Sequence, residues 1–164
     1  MEKSDSEEAS RVYGMKDDTS RLRTIAAVDP RMALWVTEVL LGSPVARTIG
    51  IHLVALDIDR VVMALPFKPD NVTLARIVHG GVIATLIDIV GAASSASGAD
   101  GEAVRGGATG NLTIQYLAPA DGCDLEAEAI VIKRGKRQTV SDITVRAGDV
   151  VIAKALLTSA IFLA

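Results

Sequence analysis

A single acidic residue, Asp88, lies in a segment that is otherwise apolar enough to form the core of the protein. Residues 78–93 read VHGGVIATLIDIVGAA, and Asp88 is the only formally charged side chain between Arg76 and Asp100. A helix that is apolar on nearly every face is a core helix, so we predict a buried central helix over residues 80–97. An unpaired buried carboxylate is costly. We therefore expect Asp88 to be buried and to have a function, the alternative being a hydrogen-bonded structural acid.

The length and charge of the chain restrict its class. A chain of 164 residues is long enough for one domain with a real core. The net charge of −3 argues against a nucleic-acid partner. No apolar run of membrane-spanning length is expected, and the charged N-terminus does not resemble a secretory signal. We therefore expect a cytoplasmic protein with no membrane partner. The two His and one Cys predict no metal site and no internal disulfide.

The N-terminal part of the chain differs in composition from the rest. Residues 1–23 hold eleven charged side chains, which predicts a flexible N-terminal tail over residues 1–28. Residues 29–164 are predicted to form a single domain. Its first helix is expected over residues 29–41, with Asp29 as the cap and Pro30 in the first turn. Ser43 and Pro44 predict a further helical turn that ends near Gly50.

Alternating apolar residues and turn signals predict strands on both sides of the central helix. Strands are expected at residues 51–57 and 60–66 before it, and at 111–116, 125–133, 137–146 and 150–161 after it. Three long strands joined by short turns indicate an antiparallel meander. The predicted fold class is α+β, with a curved antiparallel sheet wrapped around one long central helix.

Four short motifs resemble those of the hotdog-fold acyl-CoA thioesterases. They are Ser43-Pro44-Val45-Ala46, Val78-His79-Gly80-Gly81 followed by Asp88, Tyr116-Leu117-Ala118-Pro119, and Lys133-Arg134-Gly135-Lys136-Arg137. The resemblance extends over residues 40–162 and is nearest to the phenylacetate-pathway (PaaI-type) branch of the 4-hydroxybenzoyl-CoA thioesterase superfamily. It implies the hotdog fold and hydrolysis of an acyl-CoA substrate, with no cofactor besides the CoA moiety of that substrate.

Thioester hydrolysis needs a base or nucleophile and a group that polarises the carbonyl. Asp88 is the only acid in its segment that could fill the first role. The first N–H groups of a helix have no intrahelical partner and favour negative charge. The resemblance implies that the Gly80 N–H polarises the thioester oxygen, and a glycine pair at Gly80 and Gly81 lets a ligand approach the backbone. It also implies that His79 mainly shapes the start of the helix.

Asp88 and Gly80 cannot easily serve one carbonyl from the same helix. They are eight residues apart in the sequence, which is about 12 Å along a helix axis. In the resembling enzymes, the acid comes from one subunit and the helix N-terminus from the other. We therefore expect a site at a dimer interface, in a homodimer at least. The family also suggests a homotetramer.

Several polar residues are candidates for binding water or the acyl group. Thr109 aligns with a hydroxyl that positions water in similar enzymes, the alternative being an ordinary strand threonine. Many relatives have an amide where this chain has Thr73, and Asn71 is the nearest amide. The small residues Gly91 and Ala92, with Ala93 beside them, could leave room for an aromatic or medium-chain acyl group.

A basic turn between two predicted strands is the candidate site for the CoA phosphates. Arg134, Lys136 and Arg137 resemble a loop that meets these phosphates, and lysine and arginine suit phosphate oxygens chemically. The alternative is a solvated hairpin tip.

Two other functions remain open from the sequence. Hotdog-fold hydratases and dehydratases pair a histidine with an acid across the dimer, as His79 and Asp88 could. The His-Gly-Gly start of the helix favours the thioesterase. A non-catalytic acyl-CoA binding module is supported by Thr73 standing in place of an amide, but the retained Asp88 argues against it.

Overall fold

The structure is a computed structural model that describes residues 27–164. Nearly all of the predicted tail, residues 1–28, lies outside the described residues. Eight strands follow in chain order: β1 His52–Asp57, β2 Arg60–Leu65, β3 Val72–Leu74, β4 Ile77–Val78, β5 Val104–Tyr116, β6 Leu125–Arg134, β7 Gln138–Ala147 and β8 Val150–Leu163. Six of them form an antiparallel sheet in the order β1-β2-β6-β7-β8-β5, and β3 pairs with β4 separately. The six predicted strands and the meander of β6, β7 and β8 are confirmed, except that β5 begins at Val104, seven residues before the predicted start. Strands β3 and β4 were not predicted.

The first helical segment has the predicted start but not the predicted regularity. Helix α1, Pro30–Leu34, begins at Asp29, whose carboxylate accepts the Arg31 N–H at 2.8 Å. This hydrogen bond holds the pKa of Asp29 below its usual value. The chain then continues as a π-helix over Trp35–Leu40 rather than as the expected uniform α-helix. The wider turn brings residues five apart, Trp35 and Leu40, to the wall of one cavity.

A second short helix connects this segment to the sheet. Helix α2, Pro44–Ile49, is capped by Ser43, whose hydroxyl accepts the Ala46 N–H. It ends at Gly50, where φ of 93° is a left-handed conformation that glycine adopts without strain. Both predicted end points of this turn are confirmed.

The central helix, α3, extends over Gly80–Ser97, as predicted. Its buried apolar residues face fully buried side chains of the sheet, and Gly91 permits the closest approach. A Cβ atom at Gly91 would lie 2.7 Å from Leu157 Cδ1 and 2.9 Å from Ile143 Cδ1. The helix is long and apolar enough to cross a membrane, contrary to expectation, but 56% of its residues are buried within the protein. It is therefore a core helix.

One stripe of α3 is not covered by the sheet. Gly81, Ala84, Thr85, Asp88 and Ala92 recur at helical spacing, and each is partly or fully exposed. The stripe reaches β5, which is the last strand of the sheet and has no partner on its outer edge within residues 27–164. The prediction that Asp88 is buried is therefore wrong for the single chain, because no further strand lies beyond β5 to cover it.

Candidate active site

Asp88 is hydrogen-bonded to Thr109 of the edge strand. The Thr109 hydroxyl donates to Asp88 Oδ1 at 2.6 Å, while Oδ2 accepts no hydrogen bond within the described part of the chain. Thr109 adjoins a bulge in the pairing of β5 with β8, at Gly110. A bulge redirects the side chains around it. Asp88, predicted as base or nucleophile, and Thr109, predicted as a water-positioning hydroxyl, are thus in contact, with one carboxylate oxygen left free.

A cavity of about 240 Å³ opens beside this pair. Its walls are mainly apolar and come from α1, the π-helix, α3 and the β5–β8 edge. The apolar side chains are Met32, Trp35, Leu40, Ala92, Ala96, Ala99, Val104, Ala108, Ala160 and Ile161; the polar ones are Asp88, Ser95, Arg105, Thr109 and Ser159. Of the three small residues expected to make room for an acyl group, only Ala92 lines the cavity. Gly91 and Ala93 are buried in the core instead.

The N-terminus of α3 leaves one backbone donor without a partner. His79 caps the helix: its Nδ1 accepts the Gly81 N–H at 2.8 Å, and its carbonyl accepts the N–H groups of Val82 and Ile83. Within residues 27–164, the Gly80 N–H has no hydrogen-bond acceptor. The Gly80 carbonyl accepts the Tyr116 hydroxyl at 2.8 Å. Gly80 is therefore the donor that remains available to an outside group.

An open apolar groove lies next to Gly80. It is lined by Val78, Gly80, Ile83 and the segment from Tyr116 to Ala120. From the sequence, Tyr116 is only part of a motif at the end of a strand. The structure adds that its hydroxyl ties the end of β5 to the start of α3. An aromatic hydroxyl directly before Leu-Ala-Pro was the only sequence signal of this contact.

The two candidates Asn71 and Thr73 lie away from Asp88. The Asn71 side chain is buried and donates from Nδ2 to the Ile49 carbonyl at 2.8 Å. Its backbone carbonyl accepts the His79 N–H at 2.8 Å. Thr73 is exposed on β3. Asn71 thus supports the start of α3, and neither side chain hydrogen-bonds to Asp88 or Thr109.

The basic residues of the turn have different surroundings: Arg134 contacts other parts of the chain, whereas Lys136 and Arg137 do not form salt bridges within residues 27–164. Arg134 donates to Asp59 Oδ1 from Nε at 2.8 Å and from Nη2 at 2.5 Å, and Nη2 also reaches the Ser95 carbonyl at 3.0 Å. It therefore caps the C-terminal end of α3, which differs from the phosphate contact expected of it. Lys136 and Arg137 are exposed and form no salt bridge within the described residues.

A backbone hydrogen bond connects the turn that carries Lys136 and Arg137 to the wall of the cavity. The Arg137 carbonyl accepts the N–H of Ile161 at 2.9 Å, and Ile161 lines the cavity. Residues 27–164 contain no cluster of three or more His, Cys, Asp or Glu side chains that could hold a metal ion. The site thus consists of a carboxylate with a hydroxyl partner, an apolar cavity, and cations in a turn connected to its wall.

The central segment of the chain is similar to a known family. Residues 75–154, which are 80 of the 164 residues, match the family model described as Thioesterase superfamily. The matched residues include Gly80, Asp88 and Thr109, and the superfamily name denotes hydrolysis of thioesters.

Individual proteins show the same similarity. A protein of Halobacterium salinarum that is named as a candidate esterase is 41% identical over 68 residues, which are 42% of this chain and 44% of that protein. The chain therefore matches less than half the length of that relative. A thioesterase family protein from Silicibacter pomeroyi has a TM-score of 0.74 at 25% identity, over 81% of this chain and 99% of its own.

The PaaI protein from the phenylacetic acid degradation operon of Escherichia coli has the same fold. The two structures superpose with a TM-score of 0.70 at 20% identity, over 80% of this chain and 94% of PaaI. The sheet wrapped around α3 is thus the hotdog fold, as predicted.

Proposed function

We propose that this protein is a PaaI-type acyl-CoA thioesterase that hydrolyses the thioester to a free acid and CoA. The observation that carries the proposal is the Asp88 carboxylate, held through Oδ1 by Thr109 at 2.6 Å and placed at the wall of an apolar cavity. An acyl chain suits the apolar walls, and the free Oδ2 suits attack or proton transfer. The thioesterase-superfamily match over residues 75–154 supports the same chemistry.

The Asp88 carboxylate can promote thioester hydrolysis by two routes. As a general base, Asp88 takes a proton from water, and the resulting hydroxide adds to the thioester carbon. As a nucleophile, it adds directly and forms a mixed anhydride that water then opens. In both routes the tetrahedral intermediate carries an oxyanion that a free backbone N–H can stabilise, and Gly80 supplies one. Collapse breaks the carbon–sulfur bond. The CoA thiolate takes its proton from the Asp88 carboxyl in the first route and from water in the second.

The site is completed by a second copy of the chain. Strand β5 has 13 residues and an open outer edge, a feature that proteins normally pair or protect. Its middle contacts Asp88 through Thr109, and its end contacts Gly80 through Tyr116. Antiparallel pairing of two β5 edges would therefore bring the free N–H of one copy toward the carboxylate of the other.

The contacts of β5 with Asp88 and with Gly80 determine the register in which two β5 strands would pair. A two-fold axis of an antiparallel strand pair passes between residues of the same number. With the axis at Leu112 or Thr113, Tyr116 of one copy lies opposite Ala108 or Gly110 of the other, directly beside Thr109. This register joins Gly80 of one copy with Asp88 of the other, and the dimer would have two such sites. Whether two dimers form a tetramer stays a prediction.

The CoA moiety is assigned to the exposed cations of the basic turn. Lys136 and Arg137 lie in a turn connected to the wall of the cavity and are free of salt bridges within residues 27–164. Their charges suit the CoA phosphates. Arg134 would contribute indirectly, because its contacts with Asp59 and the end of α3 hold the turn in place.

A direct assay tests the proposal. Wild type and Asp88→Asn are compared for release of free thiol from a panel of straight-chain and aromatic acyl-CoAs. Asp149→Asn is the matched control, because Asp149 lies in the turn between β7 and β8 and takes part in no salt bridge of the described chain. Enoyl-CoA hydration is measured alongside, since hydration without thiol release would indicate the hydratase. Binding without turnover would indicate the binding module.

A further inference from the structure

Ser159 of β8 has a buried hydroxyl with no partner. The residue is 4% exposed, and its Oγ is the one buried side-chain nitrogen or oxygen that lacks a hydrogen bond in residues 27–164. Buried polar side chains are nearly always hydrogen-bonded, because leaving one unpaired is destabilising. Ser159 also lines the cavity beside Asp88. Its missing partner is therefore expected among the molecules that enter the cavity.

The residues opposite Ser159 in the sheet also carry hydroxyls, but theirs are hydrogen-bonded. Thr109 of β5 and Thr139 of β7 lie directly opposite Ser159 in the sheet, which places three hydroxyls in one row. The two outer hydroxyls are both bonded to α3: Thr109 donates to Asp88 at 2.6 Å, and Thr139 donates to Ser95 Oγ at 2.7 Å. Only the middle hydroxyl, that of the cavity-lining Ser159, has no partner within residues 27–164.

We propose that Ser159 hydrogen-bonds a polar substituent of the acyl group, so that the substrate is a short hydroxyacyl or oxoacyl thioester rather than a plain hydrocarbon one. A serine hydroxyl both donates and accepts, so it can pair with either substituent. Most of the other side chains that line the cavity are alanine and larger apolar ones, which suit the carbon chain. The inference rests on the proposed thioesterase function.

The position of Ser159 restricts where the substituent lies on the acyl chain. Side chains directly opposite each other in an antiparallel pair have Cβ atoms about 5 Å apart, so Ser159 lies one strand spacing from Thr109. The reacting carbon must approach the attacking atom to about 3–3.5 Å, close to Asp88 and hence to Thr109. The substituent that meets Ser159 is therefore expected at the third or fourth carbon of the acyl chain.

Matched pairs of thioesters test this assignment. The kcat/KM values of wild type are measured with butyryl-CoA, 3-hydroxybutyryl-CoA and 4-hydroxybutyryl-CoA. The gain of one hydrogen bond predicts a preference of about tenfold for one hydroxylated substrate. In Ser159→Ala this ratio is expected to fall to about one. Ser159→Cys, which keeps the size but weakens the hydrogen bonding, is the second variant, and the melting temperature checks that each variant is folded.

Ser141→Ala is the control for the loss of a buried serine hydroxyl. Ser141 is also fully buried, but its hydroxyl is bonded to Ser94 Oγ at 2.8 Å and does not line the cavity. It should lower the melting temperature and keep the substrate ratio of wild type. Equal kcat/KM values of wild type for all three substrates would overturn the role of Ser159 and leave the thioesterase standing. An equal loss on every substrate in Ser159→Ala would also overturn it, because that pattern belongs to a water-positioning residue.

A binding measurement separates the failure of this inference from failure of the thioesterase. If wild type hydrolyses none of the substrates, calorimetry is carried out with the thioether analogues of butyryl-CoA and the two hydroxybutyryl-CoAs. About tenfold tighter binding of one hydroxylated analogue, lost in Ser159→Ala, would support the Ser159 contact even without turnover. Equal affinities of wild type for the analogues would overturn it.

Discussion

The Thr109 hydroxyl and the Asp88 carboxylate join the edge of the sheet to the central helix through a 2.6 Å hydrogen bond. The bond fixes one oxygen of the acid and leaves the other free at the wall of the cavity. It also links the proposed chemistry to β5, the strand through which a second copy would pair. One contact thus fixes the orientation of the acid and connects it to the strand edge proposed for dimerisation.

Removing this hydrogen bond should reduce turnover more than stability. Thr109→Val keeps the shape of the side chain and loses the donor, so Asp88 is no longer oriented. A hydrogen bond to a charged group is worth about 1.5–3 kcal/mol, which predicts roughly a 10- to 100-fold lower kcat. Thr109→Ser retains the donor and should keep most of the activity. Equal activity of the Val and Ser variants would show that the hydroxyl has no catalytic part.

Adding one methyl group at Gly80 should block the approach of the thioester. A Cβ atom there would lie 3.6 Å from the Tyr116 ring, an ordinary contact, so Gly80→Ala should fold normally. The methyl group would stand beside the free N–H, and we expect kcat/KM to fall at least about tenfold, with an unchanged melting temperature.

Gly81→Ala provides the contrast to Gly80→Ala. Its Cβ atom would lie 2.9 Å from His79 Nδ1 and would disturb the cap, so both stability and activity should fall. If Gly80→Ala kept full activity, the Gly80 N–H would have no part in the mechanism.

The proposed register of the dimer can be tested by cross-linking. Thr113 is exposed on β5, close to the expected two-fold axis. In a Cys123→Ser background, Thr113→Cys should give a covalent dimer with a short bis-maleimide. Val54→Cys is the control, because Val54 is also exposed but lies on β1 at the opposite edge of the sheet. If only the Val54 variant gave a cross-linked dimer, the two copies would pair through β1, which would contradict the proposed pairing through β5.

Truncating Arg134 should lower the stability of the protein more than truncating Lys136 and Arg137. Arg134→Ala removes the contacts to Asp59 and to the carbonyls at the end of α3. We expect a loss of about 2 kcal/mol in the free energy of unfolding, measured by urea denaturation. The double variant Lys136→Ala and Arg137→Ala should change stability by no more than about 0.5 kcal/mol.

The same double variant should raise KM for acyl-CoA, because it removes the two charges assigned to the phosphates. The matched measurement uses a thioester of a short thiol without phosphates, for which KM should stay at its wild-type value. If KM for acyl-CoA stayed at its wild-type value, the turn would have no part in binding CoA and would be only a solvated hairpin tip.

The sequence predicts the framework of this protein well, for identifiable reasons. Helix α3 begins at His79-Gly80 and is followed by Gly98, so both ends carry local signals. The order of the strands along the chain follows from alternation and turns. Asp88 stands out in the sequence as the one acid of an apolar segment, whereas Thr109 is a candidate only through the family resemblance. Their contact is not predictable, because the two residues are 21 positions apart and it depends on the pairing of β5 with the sheet.

The remaining features depend on contacts between distant parts of the chain. Asp88 was expected to be buried because its neighbours are apolar, but the stripe it shares with Gly81 and Ala92 is made of small residues and stays open. Arg134 was assigned to a ligand because its partner Asp59, 75 positions away, is not visible in a local pattern. Ser159 carries no sequence signal, since a serine in a strand is ordinary until its surroundings are known.

The most direct test of the account is the rate of thiol release by Asp88→Asn under saturating acyl-CoA. Asparagine keeps the shape of the side chain and can still bond to Thr109, but it can neither accept a proton from water nor attack the carbonyl. The account predicts a kcat at least about 100-fold below that of wild type, with binding of the substrate retained. A kcat within a few-fold of wild type would contradict it, because the carboxylate would then have no part in the reaction.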